Sequence, residues 1–127
     1  IEVAVLGNEE VKASIAGEIK PAKDFYDYED KYINGASTYD IPAKISEADM
    51  EKIRTMAIKA FKSLDGKGLS RVDFFIDKNS GEIFINEINT LPGFTNISMY
   101  PKMWEATGLE YSNLIDKLIE LALDTKK

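Results

Sequence analysis

The chain has 127 residues, of which 44% are hydrophobic and 30% charged, and 16 Lys+Arg against 22 Asp+Glu give a formal net charge of −6. This fits one compact soluble domain that buries roughly two-thirds of the surface its unfolded chain exposes, with no disorder signature. The absence of Cys and His excludes zinc fingers, disulfide frameworks, thiol nucleophiles and Ser-His-Asp triads. Proton transfer or metal ligation therefore falls to Asp, Glu, Asn, Lys or Tyr. The acidic balance argues against a nucleic-acid partner. No apolar run reaches the ~18 residues of a membrane span, so no membrane partner is expected either. Lack of Cys fits a reducing compartment, hence a cytoplasmic setting.

The chain opens at Ile1, already inside an apolar run that reaches Leu6, which suggests a piece of a longer protein. Residues 1–7 and 12–19 read as strands around a Gly7-Asn8-Glu9-Glu10 turn, with Gly17 weakening or bulging the second. Residues 22–40 carry Phe25, Tyr26, Tyr28, Tyr32 and Tyr39 among charged neighbours without any period, which predicts an ordered, Ω-like loop. Ser46 caps a helix on which Met50, Ile53, Ala57, Phe61 and Leu64 form one stripe, with Gly66 as its stop. Strands over 69–77 and 82–90 flank Asn79-Ser80-Gly81, a hairpin signal, and two helices follow at about 101–106 and 113–124.

The hairpin gathers the residues with chemistry. A three-residue loop over 79–81 pairs Phe75 with Ile85, Asp73 with Glu87 and Arg71 with Asn89, so Leu69, Arg71, Asp73, Phe75, Ile85, Glu87 and Asn89 share one face. Carboxylates set opposite each other repel unless something offsets the charge. Two carboxylates and an amide suit a hard cation such as Mg²⁺, and the planar fork of Arg71 suits phosphoryl oxygens. The chemistry implied is metal-assisted work on a nucleotide phosphate. The same pattern also serves a solvated charged face, and a one-residue slip would scatter the cluster to both faces.

Beyond the hairpin, Pro92-Gly93 reads as the centre of a type II turn in which Gly93 leaves its amide open to a ligand oxygen, although a plain turn uses the same residues. Ser98 and Met99 precede a helix with Pro101 in its first turn, either a carboxylate site at a helix N-terminus or simple capping by Ser98. Lys31 stands alone as a cation among Asp27, Glu29 and Asp30, the pattern of a solvated loop charge or of a ligand.

In this order, Phe25-Tyr26-Asp27-Tyr28-Glu29-Asp30-Lys31-Tyr32, Ser70-Arg71-Val72-Asp73 and Asn86-Glu87-Ile88-Asn89-Thr90-Leu91-Pro92-Gly93-Phe94-Thr95 closely resemble the C-terminal half of the D-alanine-D-alanine ligases, ATP-grasp enzymes. The likeness runs from end to end of the chain. It implies a two-step ligation: ATP phosphorylates the carboxylate of one D-alanine, and the amine of a second attacks the acyl phosphate, giving a dipeptide for peptidoglycan precursors. Asp73, Glu87 and Asn89 would hold two Mg²⁺ ions, with Mn²⁺ as a substitute, while Arg71 and the Gly93 amide would stabilise the oxyanion and the transferring phosphoryl group. Ser98 and the Met99 amide would grip the second substrate's carboxylate. Lys31 would meet the γ-phosphate of ATP, Tyr32 is the residue type of dipeptide-forming members, and Phe25 lies near adenine, with Phe75 added by the strand register as an apolar floor. The resemblance further implies that the upstream domains of the ligase lie outside these 127 residues, that this piece alone is inactive, and that the full-length enzyme is a homodimer.

The expected fold is a single domain over residues 1–127, α/β of the α+β type, with a largely antiparallel sheet and helices on one face, the C-terminal ATP-grasp subdomain. Two alternatives remain at this point. Another ATP-grasp carboxylate-amine ligase would keep Asp73, Glu87 and Asn89 and differ around Tyr32 and Ser98–Met99. A non-catalytic module would bind only divalent metal or a protein partner.

Overall fold

A computed structural model describes residues 1–20 and 38–124. Within them run β1 (Glu2–Gly7), β2 (Lys12–Ala13), β3 (Glu18–Lys20), β4 (Thr38–Asp40), α1 (Glu47–Ser63), β5 (Gly68–Ile76), β6 (Ile83–Asn89), α2 (Met99–Thr107) and α3 (Tyr111–Asp124). A four-stranded antiparallel sheet has the order β2-β1-β5-β6, and β3 pairs separately with β4. The expected α+β class with an antiparallel sheet is therefore present. Phe25, Lys31 and Tyr32, with most of the aromatic loop, lie outside the described residues.

The helices do not lie on one face, which corrects the expectation. Every residue of β1 is buried, and because successive strand side chains point to opposite faces, both faces must be covered. Val3 and Val5 pack with Val72, Phe74 and the Ile53, Ala57 and Phe61 stripe of α1. Ala4 and Leu6 pack instead with Tyr100, Met103 and Trp104 of α2 and Leu114 of α3. A strand that is apolar on both sides is satisfied only between two layers.

The second expected strand is cut short. Pairing with β1 ends at Ala13. Ser14 then turns its hydroxyl inward to accept the Ala4 amide at 3.0 Å, and the chain crosses to β3. Gly17 bridges back to Glu2 rather than bulging a ladder, and a Cβ there would stand 2.7 Å from Met99 Cε. Helix α1 begins as expected, with Ser46 Oγ accepting from the Asp49 amide at 3.1 Å. Its left-handed stop residue is Asp65, φ 53°, not Gly66. Position 66 is glycine for space, since a Cβ would lie 2.6 Å from the Phe61 ring. Both C-terminal helices start earlier than the sequence pattern suggested, at Met99 and Tyr111.

The layers also set where the sheet is open. Helices α2 and α3 cover the face carrying Ala4, Leu6 and Leu69. Farther along the same face, toward Asp73 and Phe75, Phe75 is 60% exposed.

Candidate functional site

Hairpin geometry puts the acidic cluster together by a route different from the one the sequence suggested. Asp77 donates its amide to the Glu82 carbonyl at 2.8 Å, so the loop is the four residues 78–81, with Gly81 at φ 76°. Asp77 Oδ1 accepts the Asn79 and Ser80 amides at 2.7 and 3.1 Å, which holds its carboxyl below the usual carboxylate range. Next to the turn Phe75 therefore faces Phe84, not Ile85, and Phe74 faces Ile85. A bulge between Asp73 and Phe74 then absorbs one extra residue, Asn86, and restores Asp73 opposite Glu87 and Arg71 opposite Asn89. Without it Asn86 would stand opposite Asp73, and Glu87 would turn toward the α1 side of the sheet.

The corrected face carries Leu69, Arg71, Asp73 and Phe75 beside Phe84, Glu87 and Asn89. Ile85 moves to the α1 side and Phe84, 49% exposed, moves onto the site face next to Phe75. The apolar end expected at Phe75 is thus an exposed pair of phenyl rings on partner positions.

Arg71 grips Asp73 with both arms: Nε to Oδ1 at 2.8 Å and Nη2 to Oδ2 at 2.9 Å. Asn89 Nδ2 donates to Asp73 Oδ2 at 3.5 Å and to Glu87 Oε1 at 3.3 Å, so both acids lie around one amide. A fifth member was invisible to sequence reasoning. Glu2, on β1, is the register partner of Asp73, and its Oε1 lies 3.3 Å from Arg71 Nε. Acids from three neighbouring strands thus form a row, Glu2, Asp73, Glu87. The pairing of β1 with β5, from Glu2 with Asp73 to Gly7 with Gly68, joins segments far apart in sequence, and no local pattern signals it.

Burial opposes the charge on Arg71, but the Asp73 hydrogen bond and the charges of Glu2, Asp73 and Glu87 outweigh it and hold the guanidinium protonated well above its ordinary range. Among the described residues the cluster sets three carboxylates against one guanidinium, a net negative balance. That excess, with hard oxygen donors, fits a divalent cation of the magnesium type. Among the described residues no three acidic side chains alone are close enough to hold a metal ion, so the amide is needed as a donor. In this structure Asn89 turns its nitrogen to the carboxylates, and a cation there requires the amide to rotate and offer Oδ1.

The loop after β6 brings the remaining expected residues in. Gly93 is not among the glycines with positive φ, so Pro92-Gly93 does not form the expected type II turn. A Cβ at Gly93 would lie 3.3 Å from Ser98 Oγ, a tight contact that a small shift of the serine side chain relieves. Ser98 does not cap α2 with its side chain. Its hydroxyl instead accepts the Thr95 amide at 3.0 Å and shares a 2.8 Å hydrogen bond with the Thr95 hydroxyl. The first turn of α2, where Met99 lies, thus has no side-chain cap. Phe94 anchors the loop against Tyr100 and Tyr111, each at 5.6 Å between ring centroids.

An antiparallel sheet whose open end gathers acids, an amide and a half-buried guanidinium, followed at once by a glycine loop and an uncapped helix, has the layout of a C-terminal ATP-grasp subdomain. The chain belongs to the family described as D-ala D-ala ligase C-terminus, whose model matches residues 1–120. It is 63% identical over 122 residues to a D-alanine–D-alanine ligase of Clostridium acetobutylicum, covering 96% of this chain and 36% of the relative. Among solved structures, the D-alanine-D-alanine ligase from Coxiella burnetii is 48% identical with a TM-score of 0.81, over 98% of this chain and 31% of that one. A D-Ala:D-Ser ligase from Enterococcus faecalis is 40% identical with a TM-score of 0.79, over 94% of this chain and 35% of that one. The chain spans about a third of the length of the proteins it matches.

Proposed function

We propose that this chain is the C-terminal third of an ATP-dependent, cytoplasmic ligase that joins two D-alanines through an acyl phosphate for peptidoglycan precursors. The observation that carries the reading is the convergence of Arg71, Asp73, Glu87 and Asn89 at the open end of the sheet, in a chain of this family. Asp73 and Glu87, with the rotated amide of Asn89, are the donors for Mg²⁺, and Mn²⁺ would substitute. A divalent ion held there with ATP would supply charge neutralisation for the triphosphate and polarisation of the transferred phosphoryl group.

The chain's own residues divide the remaining work. Arg71 uses two of its five N–H donors on Asp73, and the rest of the fork is suited to phosphoryl oxygens. The Gly93 amide, with no side chain in front of it, is suited to the developing oxyanion. Ser98 and the Met99 amide at the uncapped start of α2 are suited to the carboxylate of the incoming D-alanine. Phe75 and Phe84 offer an apolar shelf for the adenine, and Phe25, Lys31 and Tyr32 complete the ATP and substrate contacts. Identity of 63% to a relative that bears the D-alanine–D-alanine name supports D-alanine as the second substrate.

Calorimetry on the full-length protein tests the class of function: ATP is expected to bind in a Mg²⁺-dependent way, and phosphate release to require D-alanine. Glu87→Gln removes one negative charge from the cation's donor set and is expected to abolish turnover. Near-normal turnover by that variant would overturn the assignment. The 127 residues alone are expected to release no phosphate.

A further inference from the structure

Glu2 belongs to none of the motifs in the sequence, and none of the roles above uses it. Its side chain is only 11% exposed, and main-chain bonds of 2.8 Å run in both directions between Glu2 and Gly17, fixing the residue in place. From there its carboxylate faces Arg71 from the β1 side of β5, whereas Glu87 and Asn89 lie on the β6 side. One guanidinium therefore serves two acids, Asp73 through a bidentate bond and Glu2 through an ion pair.

The sharing matters because Asp73 is claimed twice. Both of its oxygens carry Arg71 donors, yet the same carboxylate is read as a donor to a divalent cation. A cation beside Asp73 competes with the arginine for those oxygens and repels it. With Asp73 as its sole anion, Arg71 would either withhold Asp73 from the cation or be driven out of the site. Glu2 offers a second buried anion on the far side, one that a cation between Asp73 and Glu87 does not draw on.

We propose that Glu2 is a positioning residue that holds Arg71 beside the acidic row while Asp73 turns its oxygens to a divalent cation. This rests on the reading of Asp73, Glu87 and Asn89 as the cation's donors. The test uses the full-length protein with Mn²⁺ and a non-hydrolysable ATP analogue, without D-alanine, and reads free Mn²⁺ by electron paramagnetic resonance. Glu2→Gln keeps the shape of the side chain and is expected to weaken Mn²⁺ binding about tenfold, the scale of partners that orient metal ligands. Affinity within about twofold of the parent, below that scale, overturns the inference. Glu2→Asp keeps the charge but falls one methylene short of Arg71; it is expected to weaken binding as well, and parental affinity in this variant, whether or not Glu2→Gln folds, means that Glu2 acts by charge alone and overturns the positioning role. Glu87→Gln is the control for the underlying reading. If it leaves Mn²⁺ binding intact, the donor assignment itself falls and this inference with it, whereas loss of binding there beside parental binding in Glu2→Asp rejects only the role of Glu2.

Discussion

Tyr100→Phe isolates one buried hydroxyl that ties the first turn of α2 to the central strand. The ring is 1% exposed, and its hydroxyl donates to the Val5 carbonyl at 2.7 Å across 95 residues of sequence. The variant keeps the ring and its packing on Phe94, so the loss is that of one buried hydrogen bond, about 1–3 kcal/mol when the acceptor is left without its donor. The pH dependence gives a second signature. Burial pushes the phenol above its ordinary range and outweighs the opposing effect of Trp104. Below about pH 10 the phenol is neutral in both states and its contribution is complete. Above that, the unfolded chain loses the proton while the folded chain keeps it, and stability falls by about 1.4 kcal/mol per pH unit until the folded pKa is reached. The gap between parent and variant is therefore expected to be constant from pH 7 to about 10 and to shrink above it. Hydrogen exchange of peptides covering β1 and α2, measured across a urea series in the full-length protein, reads both effects. Equal midpoints at neutral pH, or parallel curves above pH ~10, would refute the reasoning.

Two further substitutions replace glycines, one that leaves room for a ring and one that leaves its amide open. Gly66→Ala places a methyl 2.6 Å from the ring of Phe61, itself 2% exposed in the α1 core, and is expected to cost about 1–3 kcal/mol of stability by overpacking; a companion Phe61→Leu should recover part of it, and thermal melting of both variants checks this. Gly93→Ala needs Ser98 Oγ to give way by only a few tenths of an ångström, and no positive φ stands against it, so the protein is expected to fold. With a methyl now shielding the amide, kcat is expected to fall about 10–100-fold at an almost unchanged melting temperature; unchanged turnover removes Gly93 from the site.

What the sequence made legible is what lies close together along it. The Ser46 cap, the Ile53, Ala57 and Phe61 stripe and a turn at Asn79-Ser80-Gly81 are each fixed within a few residues, and each is found, the turn with Lys78 added to its loop. The pairing of Asp73 with Glu87 and of Arg71 with Asn89 was also read from the hairpin, although by assuming a shorter loop and no bulge, two departures that cancel. Phe84 and Ile85 show the difference, because they lie between the turn and the bulge and exchange faces. Non-local pairing was not legible. Glu2 enters the site only because β1 runs beside β5, and the two-sided burial of Val3 and Ala4 depends on helices far along the chain. The apolar run at Val3–Leu6 does carry a trace of that arrangement, since a strand covered on one face would alternate. Ser98 is a related case, where a hydroxyl suited to capping is taken by the neighbouring Thr95.

Among the described residues β6 is the outer strand of its sheet, and it carries Phe84 and Ile85 half in solvent. A flat rim with such side chains invites another molecule to zip on through its main chain, the first step toward insoluble clumps. The surplus residue at Asn86 kinks that rim and breaks its even spacing of N–H and C=O groups, and Glu87 next to it adds charge. The irregularity that aligns the acids inside one molecule therefore also makes that rim a poorer template for main-chain pairing.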